Sequence, residues 1–189
     1  MEKLGLVKNT IQQYDQAAGD CKDIFNKKTR DYGTSWRVLR TISIADQLYI
    51  KARRIRTLQE TEKAKVGEDK TGEFVAMVNY GIIGLIQLSL KTDAPEELSA
   101  AAADRLYDEK ILQARSVMLD KNHDYGEAWR EMSQESFVDL ILMKILRIRQ
   151  IVANDGATLI SEGIDSNFTD IINYSLFALI LIKAGRHSA

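Results

Sequence analysis

One cysteine, one proline, two histidines and no surplus of either charge are what this 189-residue chain offers to several common chemistries. A lone thiol, Cys21, forms no internal disulfide and no cysteine-based zinc site, and reads as a small core or surface residue. Lys and Arg number 26 against 27 Asp and Glu, so bulk electrostatics gives duplex nucleic acid or an anionic membrane no reason to bind. Met1 to Asn9 lacks the apolar core of a signal peptide. The apolar stretch from Ile171 to Ile182 is too short, and too polar at its start, for a membrane span. A cytoplasmic protein is the expectation. No strand-like alternation occurs, the glycines follow no phosphate-loop pattern, and no nucleophile with a paired base is visible, which weighs against nucleotide-loop kinases and triad hydrolases. His123 has Arg30 as its counterpart in the repeat described next, and His187 falls in a tail expected to fray, so neither histidine reads as catalytic.

What the chain does have is itself, written twice. Asp31-Tyr32-Gly33-Thr34-Ser35-Trp36-Arg37 returns as Asp124-Tyr125-Gly126-Glu127-Ala128-Trp129-Arg130, a shift of 93 residues. The same shift pairs Ser43 with Ser136, Asp46 with Asp139, Lys51 with Lys144, Arg54 with Arg147 and Arg56 with Arg149. Further on, Asn79-Tyr80 matches Asn173-Tyr174 at a shift of 94, so the second copy has one extra loop residue. The expected units are residues 1–92 and 93–189.

In each copy the pattern predicts a long helix over 8–28 or 95–121, ended by the glycine turn, then a short helical stretch carrying Trp36 or Trp129. A second helix follows over 42–61 or 135–153, and a third over 72–90 or 166–184. Thr92-Asp93-Ala94-Pro95-Glu96-Glu97 reads as a helix start at the junction. The class is all-α: two three-to-four-helix repeats packed as one pseudo-symmetric bundle.

Polar residues held in apolar surroundings are the candidates for chemistry. Ser136, Asp139, Lys144 and Arg147 fall within roughly 140° of one another around an otherwise apolar helix. Burying such charges unpaired is costly, so they form either an internal ion-pair network or a pocket for an anion. Asp170 and Asn173 lie one turn apart on the third helix, behind Ser161-Glu162-Gly163-Ile164-Asp165. Glu162, Asp165 and Asp170 are candidate oxygen ligands for Mg²⁺, which takes one or two carboxylates with water and phosphate. Asp165 serves equally as a helix cap or first-turn acid. The first copy keeps Glu68 for Glu162 and Asn79 for Asn173 but has Ala76 for Asp170, which directs attention to the second half. The aromatic turn is either purely architectural or a lip for a base and its phosphate, with Tyr125 stacking and Lys28, Lys121, Arg37 and Arg130 as anion donors.

The Lys-Asn-His-Asp-Tyr-Gly turn at 121–126, the helix of Asp139, Lys144 and Arg147, and the Ser161-Glu162-Gly163 to Asn173-Tyr174 segment together resemble the nucleotide modification associated domain 1 family, in two tandem copies. That resemblance implies a place in nucleotide or modified-base metabolism. At one remove the chain is similar to the all-α nucleoside triphosphate pyrophosphohydrolases, in which acids on two helices hold Mg²⁺ against a triphosphate. It departs from their Glu-x-x-Glu and Glu-x-x-Asp pattern, with Asp139, Lys144 and Arg147 where glutamates belong.

The leading expectation is a nucleotide-binding bundle, monomer or homodimer. Lys121, Tyr125, Arg130, Lys144, Arg147 and Asn173 hold the ligand, Glu162, Asp165 and Asp170 hold Mg²⁺, and Asp139 with Asp170 serves any phosphoanhydride hydrolysis. The alternative is a non-catalytic scaffold or protein-interaction module whose repeated charges satisfy one another.

Overall fold

The computed structural model describes residues 2–61, 69–91, 94–158 and 162–189, with side chains from Asn9 onward. The first half supplies α1 (Glu2–Tyr32), α2 (Thr41–Thr61) and α3 (Lys70–Ser89), and the second supplies α4 (Ala100–Tyr125), α5 (Gln134–Ala153) and α6 (Ile164–Lys183). Short 3-10 turns, Ser35–Val38 and Ala128–Glu131, follow α1 and α4 and carry the two tryptophans. Among the described residues there is no strand. The fold is the expected all-α bundle of two repeats.

Local chemistry sets the helix ends. Gly33 and Gly126 adopt φ of 61° and 64°, the left-handed conformation that closes a helix at little cost only for glycine. Side chains of Asp69, Ser99 and Ser133 accept hydrogen bonds from the backbone N–H groups of Gly72, Ala102 and Ser136, capping α3, α4 and α5. The junction departs from expectation: α4 begins at Ala100, not at Pro95. Pro95 and Ala94 instead turn their carbonyls to Arg37, whose Nε and Nη2 donate to Pro95 O at 3.1 Å, and Thr34 Oγ1 accepts the Leu98 N–H at 2.8 Å. Arg37 is a clamp on the junction and is occupied there. Thr92 and Asp93 lie outside the described residues.

The most apolar helices, α3 and α6, pack on each other at the centre, flanked by α2 on α3, α5 on α6, and α2 on α5. Close approach needs small residues: a Cβ on Gly81 would lie 2.6 Å from Ile172, and one on Gly84 2.7 Å from the Phe168 ring. By length and composition α3 is apolar enough to cross a membrane, but most of it is buried in the bundle. The long helices α1 and α4 lie across this layer, each touching both central helices.

Paired contacts knit the halves together under their pseudo-twofold relation. Tyr14 donates to Asn173 Oδ1 at 2.8 Å, and its counterpart Tyr107 donates to Asn79 Oδ1 at 2.9 Å. Arg115 meets Asp15 at 2.7 Å, and its counterpart Lys22 meets Asp108 at 2.7 Å. Arg149 meets Asp46 at 2.6 Å, and Arg56 meets Asp139 at 3.4 Å. Each pair joins one copy to the other, so the two sequence units form one packed body. The C-terminal tail is docked, not frayed: His187 Nε2 lies 3.0 Å from Met132 O and its ring packs against Phe137.

Candidate functional site

Asp170, only 4% exposed on α6, receives Lys144 of α5 at 2.5 Å on one oxygen and Lys121, near the end of α4, at 2.6 Å on the other. A carboxylate in an apolar helix is tolerable on these terms, because each oxygen faces an ammonium group, Oδ1 with a hydrogen bond from Lys121 and Oδ2 in an ion pair with Lys144. Burial works against the Lys121 charge, but the Asp170 hydrogen bond and charge outweigh it and raise the ammonium above the usual lysine range. Tyr174, one turn beyond Asp170, has its hydroxyl raised by burial first and by the Asp170 charge second, with Lys121 and Arg147 pulling the other way. Glu162 also acts on both Lys121 and Tyr174. Thus Lys121, Lys144 and Asp170 come together, with Arg147, exposed on α5, and Glu162 at the margin.

The other expected site residues are spent elsewhere. Asp139 is exposed and pairs across the halves with Arg56, so it does not join Asp170 as a catalytic acid. Asn173 is buried in the core, its Oδ1 taken by Tyr14 and its Nδ2 donating to Ala114 O at 3.0 Å. Arg130 donates to Glu127 at 2.6 Å and to Gln13 at 2.9 Å while its guanidinium stacks over Trp129, so it anchors its turn to α1. Tyr125 is 75% exposed. Asp165 lies in the first turn of α6, where its charge suits the helix dipole. Glu68 and Ser161 lie outside the described residues. The expected Mg²⁺ set does not fit: both Asp170 oxygens already hold ammonium groups, and among the described residues no three His, Cys, Asp or Glu side chains converge.

The first half differs at the same place. Ala76 occupies the Asp170 position, and beside it opens a cavity of about 500 Å³ between the end of α1, the first 3-10 turn and α3. Size differences account for the opening. Phe177 stacks on Trp129 in the second half, with centroids 4.2 Å apart and planes 6° from parallel, whereas its first-half counterpart is the smaller Ile83. Trp129 is consequently 5% exposed, while Trp36 is only partly buried and lines the open space with Tyr80 and Asn79. The indole Nε1 of Trp36 is buried without a hydrogen-bond partner, as is that of Trp129. Lys28, the counterpart of Lys121, borders the cavity and makes no ion pair within 4 Å among the described residues. Cys21, in α1, is wholly buried, and burial pushes its thiol up to about 12, as suits an inert core residue.

The buried acid of the first half is not lost but displaced by one turn. Glu73, 2% exposed, meets Arg54 at 2.6 Å and Lys51 at 3.2 Å. Its counterpart in α6 is Asn167, whose Nδ2 donates to Gly163 O. Reading the sequence for retained polar residues missed the cavity because what creates it is smallness, Ala76 and Ile83 against Asp170 and Phe177. The signal was present in the copy-to-copy comparison, where Ala76 had the look of a loss.

A family model described as nucleotide modification associated domain 1 matches residues 28–88 and again residues 121–182, together about two thirds of the chain. The first match takes in the cavity lining except Ile24 and Phe25, and the second spans the Asp170 cluster. No curated protein and no solved structure matches the chain. The comparisons therefore show the family and give no support to a likeness to pyrophosphohydrolases.

Proposed function

Because this chain belongs to the nucleotide modification associated domain 1 family, carrying its unit twice, we propose that it binds a nucleotide or modified nucleotide in the first-half cavity. The observation that carries this reading is the opening beside Ala76, at about 500 Å³ within the range of about 300–1,000 Å³ usual for small-molecule sites. Its chemistry suits a base. Trp36 and Tyr80 offer ring faces, and aromatic stacking contributes about 1–3 kcal/mol per base. Lys28 supplies a cation at the border for a phosphate.

The proposal is of binding and not of hydrolysis. Among the described residues that line the cavity there is no carboxylate, thiol or histidine to act as base or nucleophile. In the second half the closed Asp170 cluster favours the other reading, a structural ion-pair network.

Heat denaturation of the full chain with a panel of nucleoside 5′-monophosphates tests this. A ligand at about 100 times its Kd stabilises the folded state by about 2.7 kcal/mol. For a chain of this length that is a rise of roughly 5–10 °C in Tm. The rise is expected for at least one nucleotide and is expected to vanish in Trp36→Ala. No rise with any nucleotide would remove the proposal.

A further inference from the structure

The second half displays, with its own atoms, an anion held between two lysines. Asp170 places its carboxylate between Lys121 and Lys144 at 2.6 and 2.5 Å. The first half has both lysines, Lys28 and Lys51, at the matching positions, but Ala76 brings no carboxylate to them: Lys28 borders the cavity beside Ala76, and Lys51, behind its lining, is held by Glu73. Resting on the nucleotide-binding reading, we propose that the ligand's phosphate fills this vacancy, seated against Ala76 between Lys28 and Lys51 as the Asp170 carboxylate is seated in the other half.

The state of each lysine agrees. Lys28 makes no ion pair within 4 Å among the described residues. Lys51 meets Glu73 Oε2 at 3.2 Å, a longer ion pair than that of Lys144 with Asp170 at 2.5 Å. The Lys51 side chain is 27% exposed against 9% for Lys144. Arg54 holds the other Glu73 oxygen at 2.6 Å, so Glu73 keeps a charged partner when Lys51 swings to the ligand. A phosphate drawn into this place gains two cations at the cost of the Lys51–Glu73 contact, while the base reaches toward Trp36. The same comparison explains why the second half needs no ligand: its anion is covalently supplied, and Phe177 fills the space a base would take.

Titration calorimetry on the full chain, using the four common 2′-deoxynucleoside 5′-monophosphates, the matching nucleosides and inorganic phosphate, tests the placement. The wild type is expected to bind its preferred monophosphate at least about tenfold more tightly than the nucleoside, as two charge-assisted contacts warrant. Lys28→Met and Lys51→Met should each remove most of that ratio while leaving nucleoside affinity unchanged. Ala76→Asp, which supplies the internal anion, should abolish monophosphate binding. Lys28 is exposed and makes no ion pair among the described residues, so its variant is expected to fold as the wild type does, and its ratio decides the matter if another variant fails to fold. Equal binding of nucleoside and monophosphate, or a ratio untouched by Lys28→Met, would overturn the phosphate placement and leave the cavity reading standing. Binding of inorganic phosphate that Lys28→Met and Ala76→Asp do not weaken would likewise place the anion elsewhere. Absence of binding by nucleosides and monophosphates alike would overturn both.

Discussion

Tyr14 of the first helix donates its hydroxyl to Asn173 of the last, 159 residues on, at 2.8 Å in the middle of the core. The bond has a mate in Tyr107 and Asn79, and each asparagine passes its own N–H to a backbone carbonyl, of Ala114 or Cys21, on the long helix of its own half. Each tyrosine therefore reaches across to the other half's asparagine. Burial raises the hydroxyls of both tyrosines well above their usual range, so they stay protonated and remain donors at every physiological pH. Asn173, which reads from sequence as a ligand contact, is here part of the lock between two copies.

Removing one hydroxyl should weaken that lock without touching the cavity. Tyr14→Phe leaves Asn173 Oδ1 buried without its donor, and urea denaturation is expected to show a loss of about 1–2 kcal/mol. Nucleotide affinity should be unchanged. Asn79 lines the cavity, so Tyr107→Phe should lower both stability and affinity.

The two aspartates first grouped as catalytic should separate cleanly. Asp170→Ala leaves Lys144 buried without its counter-charge, and the expected loss is about 3–5 kcal/mol. Asp139→Ala removes an exposed pair with Arg56 at 3.4 Å and should cost no more than about 1 kcal/mol. Equal losses in denaturant midpoint would contradict the assignment of Asp170 to a buried ion-pair network.

Asp104 gives a pH signature. The hydrogen bond from Lys22, then that from Asn26, holds its carboxyl below the usual range. A depressed folded-state value stabilises above the unfolded carboxyl value of about 3.9 and is lost as pH falls through the folded one. Lys22, whose burial is outweighed by hydrogen bonds to Asp108 and Asp104, is raised, so its contribution is lost only as pH climbs past the usual lysine range. Carboxyl carbon shifts followed by NMR between about pH 5 and pH 2 should show Asp104 titrating at lower pH than a free carboxylate, and Lys22→Met should bring it back. The group is partly exposed, so the effect on stability is small and screened by salt.

Much of the architecture could be read from the residues because periodicity and glycine turns are local signals. Helices α2, α3, α5 and α6 fall where their apolar spacing puts them, and Gly33 and Gly126 end the long helices as expected. The start of α4 was misplaced because Pro95 looks like a first-turn proline, while its carbonyl is committed to Arg37, a tertiary contact no local pattern reveals. The site was legible only in part. Spacing put Lys144 on one face with Asp139 and Arg147, but which charges meet depended on the neighbouring helices: α6 took Lys144 and α2 took Asp139. The cavity left no polar mark at all, since it arises where Ala76 and Ile83 replace larger side chains.

The chain has two tryptophans, one beside the cavity and one in the closed half, so fluorescence can report on each alone. Titrating Trp129→Phe, in which Trp36 is the sole indole, with a monophosphate that stabilises the wild type should give a saturable change in intensity. The reciprocal Trp36→Phe protein should give none. A response from Trp129 with Trp36 silent would contradict the account, because it would place the ligand in the second half.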